Sequence, residues 1–444
     1  MQEFLPIYKE NIFGKLDMSL QKAIQDIGYK TPTPIQQKAM APIMKGSDLI
    51  GCAQTGTGKT AAFMLPILDN LIKYRKPRHI GHPRALVLSP TRELAVQTAE
   101  NIKAYSKYCN LPFACVIGGV SQYGQVKEIK KGAETLVACP GRLIDLMTQG
   151  IIYLSEVEYF VLDEADRMLD MGFLPDIKRI ISKLPRSRQS MFFSATMGKE
   201  VMKLANELVR NPEEVRIEPE SPTVEKIDQS AMLVEKKDKD SLLIHLLEEH
   251  PEWNRVIVFT KMRHGADRVN KKLMRAKVLS AAIHSDKTQN QRMKALEGFK
   301  SGRLRVLVAT DIASRGIDVA DVDCVVNMEL PLDLESYVHR IGRTARAGED
   351  GCAVSFVSSA ERIQLKAIER FIKKTIRIEN THPYSNSAEA LPAAPWQRQE
   401  PIPGEKDSSN RRFDKKKKEK KKFRRHHPSN LGRRQSDFKR KSRD

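Results

Sequence analysis

Short apolar runs, four to six residues long and rich in β-branched side chains, recur along this chain. They lie at Asp48–Cys52, Arg84–Ser89, Thr135–Cys139, Tyr159–Leu162 and Ser190–Ser194. A second series occupies Arg255–Phe259, Arg305–Ala309, Cys324–Asn327 and Ala353–Val357. Few of them alternate apolar with polar residues. A strand with one face in water must alternate, whereas a strand of a parallel sheet covered on both faces need not. Between the runs the period changes to that of helices. Thr60–Tyr74 sets Phe63, Met64, Ile67, Leu68, Leu71 and Ile72 on one stripe. Pro66 falls within it and should kink that helix or sit in its first turns. The pattern predicts an α/β chain of two tandem parallel-sheet domains, residues 1–210 and 226–379. The polar segment 211–225, with Pro212, Pro219 and Pro222, reads as the linker. From Asn380 onward periodicity stops, and 380–444 reads as a disordered basic tail.

Charge sharpens the picture. The chain of 444 residues carries a formal net charge of +21. Residues 380–444 hold 19 Lys and Arg against 8 Asp and Glu, and the other 379 hold 57 against 47. More than half of the excess therefore sits in the tail. Such a tail either solubilises the chain or meets a polyanion, with RNA, DNA and an acidic membrane surface all open. Six scattered cysteines without a C-x-x-C pair argue against a zinc site or a disulfide framework and fit a reducing, cytoplasmic setting. No basic n-region with an apolar stretch opens the chain, and no run approaches ~20 apolar residues, so neither signal peptide nor membrane span is expected.

Two stretches carry chemistry. Residues 53–60 read Ala-Gln-Thr-Gly-Thr-Gly-Lys-Thr, between a strand and a helix. Thr55, Gly56, Thr57 and Gly58 form a loop whose backbone N–H groups can face phosphate oxygens. Lys59 supplies a point charge and Thr60 a hydroxyl for magnesium. Residues 163–166 read Asp-Glu-Ala-Asp at the end of the apolar run Tyr159–Leu162. There Asp163 can hold magnesium through water, and Glu164 can orient and deprotonate an attacking water. The bland alternatives are a Gly-rich turn and a helix with an acidic first turn. Both motifs in this order, in so basic a protein, point to an ATP-driven motor on nucleic acid.

Further motifs stand in series: Thr31-Pro32-Thr33-Pro34-Ile35-Gln36, Pro90-Thr91-Arg92-Glu93-Leu94-Ala95, Gly118-Gly119, Pro140-Gly141-Arg142 and Ser194-Ala195-Thr196 in the first half. The second half has Ala309-Thr310-Asp311, Ser314-Arg315-Gly316-Ile317-Asp318 and His339-Arg340-Ile341-Gly342-Arg343-Thr344. Over roughly residues 10–360 the chain resembles a DEAD-box ATP-dependent RNA helicase. Asp170-Met171-Gly172-Phe173 and the basic tail are most similar to the bacterial RhlE-like branch. The resemblance implies two RecA-like domains, with ATP and magnesium bound between them. Gln36 would pair with the adenine edge, with Phe13 or Tyr29 stacking beside the base. Asp311 would meet the ribose. Arg340 and Arg343, three apart on one helical face, would act as arginine fingers. His339 would link this segment to Ser194 and Thr196. Thr91, Arg92, Gly119 and Arg142 in the first domain, with Gln289, Arg292, Thr310 and Arg315 in the second, would touch RNA phosphates without reading sequence.

Three positions depart from the family pattern. Cys139 replaces a threonine and offers a weaker donor, Ser285 stands in a glycine place, and Ala345 brings a Cβ where glycine is usual. The expected activity is RNA-stimulated ATP hydrolysis by a core acting as a monomer. It separates short duplexes locally and remodels RNA–protein complexes, with ribosome-assembly or RNA-decay proteins as partners. A translocating DNA helicase and a non-enzymatic RNA clamp are the rival readings.

Overall fold

The computed structural model describes residues 5–54, 56–217, 227–311, 322–345 and 351–385. Its first lobe contains seven parallel strands: β1 (Leu49–Cys52), β2 (Ala85–Leu88), β3 (Phe113–Val116), β4 (Thr135–Ala138), β5 (Tyr159–Leu162), β6 (Gln189–Ser194) and β7 (Glu213–Arg216), in the order β3-β4-β2-β5-β6-β1-β7. The second lobe contains β8 (Ile227–Leu233), β9 (Val256–Phe259), β10 (Ser280–Ile283), β11 (Val306–Ala309), β12 (Cys324–Asn327), β13 (Gly351–Val357) and β14 (Arg377–Glu379), ordered β10-β11-β9-β12-β13-β8-β14. The second order repeats the first position for position. Both lobes are therefore the same α/β fold, used twice.

The missing alternation has a direct cause. Leu49, Val87, Val161 and Phe193 enter the core on one face of the first sheet, while Ile50, Leu86, Phe160 and Phe192 enter a second core on the other. Ile257 and Val325 divide from Val256 and Val326 in the same way in the second lobe. Each strand feeds two apolar layers, so both of its faces must be apolar.

Several strands escape the apolar-run signal. β7 and β14 are edge strands with mostly charged, exposed residues. β7 pairs with β1 and takes up part of the segment read as linker. β3 and β10 are short and rich in alanine, serine and cysteine, and β8 carries buried Gln229 and Ser230. The helix Lys59–Lys73 runs through Pro66 without ending. No helix among the described residues is long and apolar enough to cross a membrane. Most of the tail read as 380–444 lies outside the described residues, as do Thr55 and Arg315.

Candidate functional site

The candidate residues gather where α/β sheets place their ligand groups, at the C-terminal ends of strands. Lys59 follows β1, Arg92 follows β2, Gly119 follows β3, Arg142 follows β4, and Asp163 follows β5. In the loop after β1, Gly56 and Gly58 take φ of +87° and +91°. Gly58 is required twice over, because a Cβ there would also lie 2.5 Å from Gln36 Nε2. Lys59 opens the following helix, is buried, and its Nζ donates to the Ala53 carbonyl at 2.9 Å. The loop is thereby folded around its own lysine with Thr60 beside it.

Gln36 braces this loop from behind. Its Oε1 accepts from the Thr33 N–H at 2.9 Å, and its Nε2 donates to the Gly58 carbonyl at 3.3 Å. Thr33 adds a hydroxyl bond to the Thr57 carbonyl at 2.8 Å. Phe13 differs from expectation. Its ring is 0% exposed, packed edge-on against Tyr8 and stacked at 6.3 Å on Tyr29. It presents no surface to a base and instead backs the half-buried Tyr29.

The acidic cluster sits opposite the loop. Asp163 is buried, and its Oδ1 has no hydrogen-bond partner. Burial pushes its carboxyl well above the usual range, against the pull of nearby Lys59. Glu164 adopts the left-handed conformation at φ +51°, a strained choice for a side chain with a Cβ, and one typical of functional sites. Burial pushes its carboxyl up, but Arg167, Lys59 and Arg343 outweigh that and hold it below the ordinary carboxylate range. Arg167 Nη1 lies 2.5 Å from Glu164 Oε2. Asp166, the fourth acidic-cluster residue, binds the 194–196 segment. Its Oδ2 accepts from the Ala195 and Thr196 N–H groups at 3.1 and 2.9 Å and from the Thr196 hydroxyl at 3.1 Å. Its own N–H donates to Ser194 Oγ at 3.3 Å. His339, the other residue expected to link to this segment, is exposed on the helix Leu334–Ile341 of the second lobe.

The second lobe completes the site. Arg343 is buried and reaches Glu164 electrostatically across the lobe boundary. Arg340 does not share that task. It is 2% exposed, with Nε and Nη2 on the two Asp311 oxygens at 2.6 and 2.7 Å. Its Nη1 donates to Asn327 Oδ1 and the Glu329 carbonyl, and its guanidinium lies 5.1 Å from the Phe259 ring centroid. With every nitrogen engaged inside its own lobe, Arg340 is a structural anchor and not a finger. The same bonds occupy Asp311, expected at the ribose. Ala345, two residues past Arg343, holds φ +54°, so the Cβ at this glycine place costs about 1 kcal/mol.

A second contact between the lobes runs through Glu93. Gln289 Nε2 donates to Glu93 Oε1 at 2.9 Å, and Arg292 Nη2 lies 2.9 Å from Glu93 Oε2. Gln289 and Arg292 had been expected on RNA. Their side chains instead clasp the first lobe, because a buried carboxylate at the boundary needs donors.

Residues 33–204 match the DEAD/DEAH box helicase family model, and residues 238–348 match the helicase conserved C-terminal domain. An ATP-dependent RNA helicase RhlB of Pseudomonas syringae pv. tomato is 43% identical over 81% of this chain and 92% of its own length. The chain belongs to the DEAD-box ATP-dependent RNA helicases. A DeaD helicase of Haemophilus influenzae is 40% identical over 80% of this chain and 57% of its own length. Among solved structures, S. cerevisiae Dbp5 bound to RNA and ADP BeF3 aligns at a TM-score of 0.73. Identity there is 30%, over 84% of this chain and 96% of that one. Mss116 bound to ssRNA and UDP-BeF aligns at 0.75, with 29% identity over 87% of this chain and 82% of that one. This helicase is accordingly an ATP-hydrolysing enzyme with two RecA-like lobes.

The remaining candidates line the first lobe beside the cleft. The Arg92 guanidinium lies directly over Gly118 and Gly119. At Gly119, whose φ is +75°, any Cβ would collide with Arg92 Nη1. Arg142 Nη1 reaches the Val120 carbonyl at 3.5 Å and its Nε lies 3.4 Å from Asp145 Oδ2. The 118–120 loop is thus bracketed by two arginines. Thr91 caps the helix Arg92–Tyr105 through its hydroxyl, and Thr310 is buried after β11. Cys139 occupies the N-cap of Pro140–Thr148 without a side-chain bond. Sequence reasoning missed Glu93, Asp166, Thr33 and Arg167. The first three lay inside motifs already noted, but a motif does not say which neighbour a side chain faces.

The bracing role of Gln36 changes what its removal should show. Gln36→Ala loses both an adenine-edge pair, worth about 1–3 kcal/mol, and the support of Gly58. ATP affinity is expected to fall by roughly one to two orders of magnitude and GTP affinity by clearly less, read by displacement of a fluorescent nucleotide. Equal losses would leave Gln36 as a loop brace alone.

Proposed function

We propose that this helicase separates short RNA duplexes locally and non-processively, and remodels RNA–protein complexes, as ATP and RNA draw the two lobes together. The observation that carries this reading is that Arg343 of the second lobe is buried within electrostatic reach of Glu164 of the first. Hydrolysis then depends on closure, and closure on both ligands. In this reading Lys59 and the N–H groups of 56–58 hold the phosphates, Glu164 takes a proton from the attacking water, and Arg343 meets the charge that develops on the transferred group. Magnesium suits the site: Asp163 has a buried oxygen without a donor, and Thr60 offers a hard hydroxyl oxygen. When bound there, the ion would neutralise phosphate charge. Arg92, Gly119, Arg142, Thr91, Thr310 and Arg315 would follow the RNA backbone, whereas Gln289 and Arg292 act through the clasp. His339 keeps the coupling role that the family motif implies, in addition to the ties made by Asp166.

The test compares ATPase stimulation by RNA and by single-stranded DNA of the same sequence. RNA is expected to stimulate strongly and DNA weakly, since a preference for RNA needs contacts to the 2′-hydroxyl. Equal stimulation would favour the DNA-helicase reading. The tail adds a separate expectation. Lys415–Lys418, Lys420–Lys422, Arg424 and Arg425, then Arg433, Arg434 and Lys439–Lys441, with Phe413, Phe423 and Phe438 spaced along the basic tail, suit an RNA tether. Truncation after Asn380 is expected to raise the RNA concentration for half-maximal ATPase while the saturated rate holds. Losing ~6 phosphate contacts would flatten the log–log salt slope by about 4. An unchanged slope would leave the tail as a solubility device.

A further inference from the structure

The first lobe carries a cleft of about 650 Å³ at the N-terminal ends of its strands, opposite the ATP loop. Its walls come from residues just before β1 (Met44–Gly46), the start of β5 (Tyr159), the start of β6 (Gln189) and Arg210. The ATP loop leaves the other end of β1. Four strand residues, or roughly 13 Å, separate the two places.

Positive charge outnumbers acid here. Lys45, Lys76, Arg186, Arg188 and Arg210 line the cleft. Glu158 is its one acidic lining residue, and both of its oxygens are taken. Arg84 holds it at 2.6 and 3.3 Å and Lys76 at 3.0 Å. Asp48, whose charge is felt by Arg188, accepts from the Ser190 and Arg210 N–H groups, each at 2.7 Å. Arg188 is partly desolvated and feels the like charge of Arg210, and both effects push its guanidinium below its ordinary value. Folding has therefore gathered guanidinium groups that repel one another, and the attraction of Asp48 only partly offsets burial and that repulsion at Arg188.

Two polar atoms at the same place lack partners. Arg188 Nε is buried and makes no hydrogen bond. Gln189 is 8% exposed, its Nε2 serves the Ile43 and Ser47 carbonyls, and its buried Oε1 has no donor. Orphaned buried groups of this kind are few in native proteins and call for an explanation. The cleft also presents two aromatic faces, Tyr74, which is 64% exposed, and half-buried Tyr159.

We propose that this cleft binds a phosphate-bearing nucleotide unit, at a site separate from the ATP loop. The arginines match phosphate bidentately, Gln189 Oε1 can accept from a ribose hydroxyl, and the tyrosines offer a base a stacking surface. The size also fits, since small-molecule sites run from about 300 to 1,000 Å³. The unit can be a free nucleotide or one residue of a bound RNA, and the experiment separates these sources.

The probe is ADP, titrated calorimetrically into the full chain and into a Lys45→Glu, Arg186→Glu, Arg210→Glu variant. All three side chains are exposed and none belongs to the catalytic site. The saturated RNA-stimulated rate should be kept, which reports an intact fold. A milder variant with glutamine at the same positions guards against misfolding by charge reversal. Two ADP per wild-type chain and one per variant would establish a free-nucleotide site. One ADP in both, with a several-fold higher RNA requirement for ATPase in the variant, would establish RNA as the source. Equal stoichiometry with an unchanged RNA requirement would overturn the proposal.

Discussion

Glu164→Gln is expected to bind ATP and RNA as the parent does and to turn over at least about a hundredfold more slowly. Glutamine keeps the size of the side chain and one acceptor oxygen. It cannot take a proton, and a positioned base is worth roughly 10²–10⁴ in rate. The structure shows why the ground state should survive. Glu164 is supported by Arg167 at 2.5 Å, so the amide retains an oxygen for that bond. The Lys59 and Gly58 contacts that shape the phosphate loop do not involve position 164. The charge balance also explains why glutamate works as the base here. A buried carboxyl would ordinarily hold its proton, but Arg167, Lys59 and Arg343 keep this one ionised. The depressed group is available as a base throughout the neutral range and is lost only as pH falls below the usual carboxylate values. Neutral glutamine gives up the attraction to Arg343, but unhydrolysed ATP keeps its full phosphate charge for that arginine to meet, so the lobes should remain together on nucleotide and RNA. Single-turnover ATPase and RNA-release rates test this directly: chemistry should slow and the complex persist. Parental turnover would remove Glu164 from the role of base.

What the sequence disclosed and what it concealed follow one physical division. Strands feeding two apolar layers announce themselves, because both faces need apolar residues. Nine such runs each fall on an observed strand. Edge strands β7 and β14 do not, because solvent covers part of them and charge is tolerated there. β8 is hidden differently: its Gln229 is buried yet bonded to the Tyr337 hydroxyl at 3.0 Å, a satisfaction that only the tertiary fold provides. The phosphate loop was legible because glycine at positive φ and a following lysine leave a local trace. Partner choice was not. Gln289 and Arg292 look the same in sequence whether they face RNA or Glu93, and Phe13 looks the same stacked on a base or sealed in a core. Arg340 and Arg343 share a helical face by spacing. What the spacing does not show is Asp311, 29 residues away in sequence from Arg340, whose two oxygens hold the Arg340 guanidinium.

That contact yields a paired prediction. Arg343→Ala should leave the fold intact, let ATP bind the first lobe, and reduce RNA-stimulated hydrolysis by roughly 10³-fold or more, the scale on which an arginine finger acts. Arg340→Ala should fail for a different reason. It strips Asp311 of a bidentate partner and leaves the Asn327 oxygen and the Glu329 carbonyl without their donor. Breaking one side of a buried pair costs about 3–5 kcal/mol, a large share of the stability of a lobe this size. Thermal unfolding therefore distinguishes them, with the Arg343 variant melting near the parent and the Arg340 variant several degrees lower. Conservative changes sharpen the contrast. Arg343→Lys keeps a positive charge near Glu164 and should recover part of the rate. Arg340→Lys cannot reproduce a planar fork meeting two oxygens and should remain unstable. If Arg340→Ala melted like the parent while losing turnover as Arg343→Ala does, both arginines would act on the phosphate, and the anchor assigned to Arg340 would be wrong. If Arg343→Ala hydrolysed ATP at the parental rate, the first lobe alone would hold the catalytic groups, and closure would serve only to grip RNA.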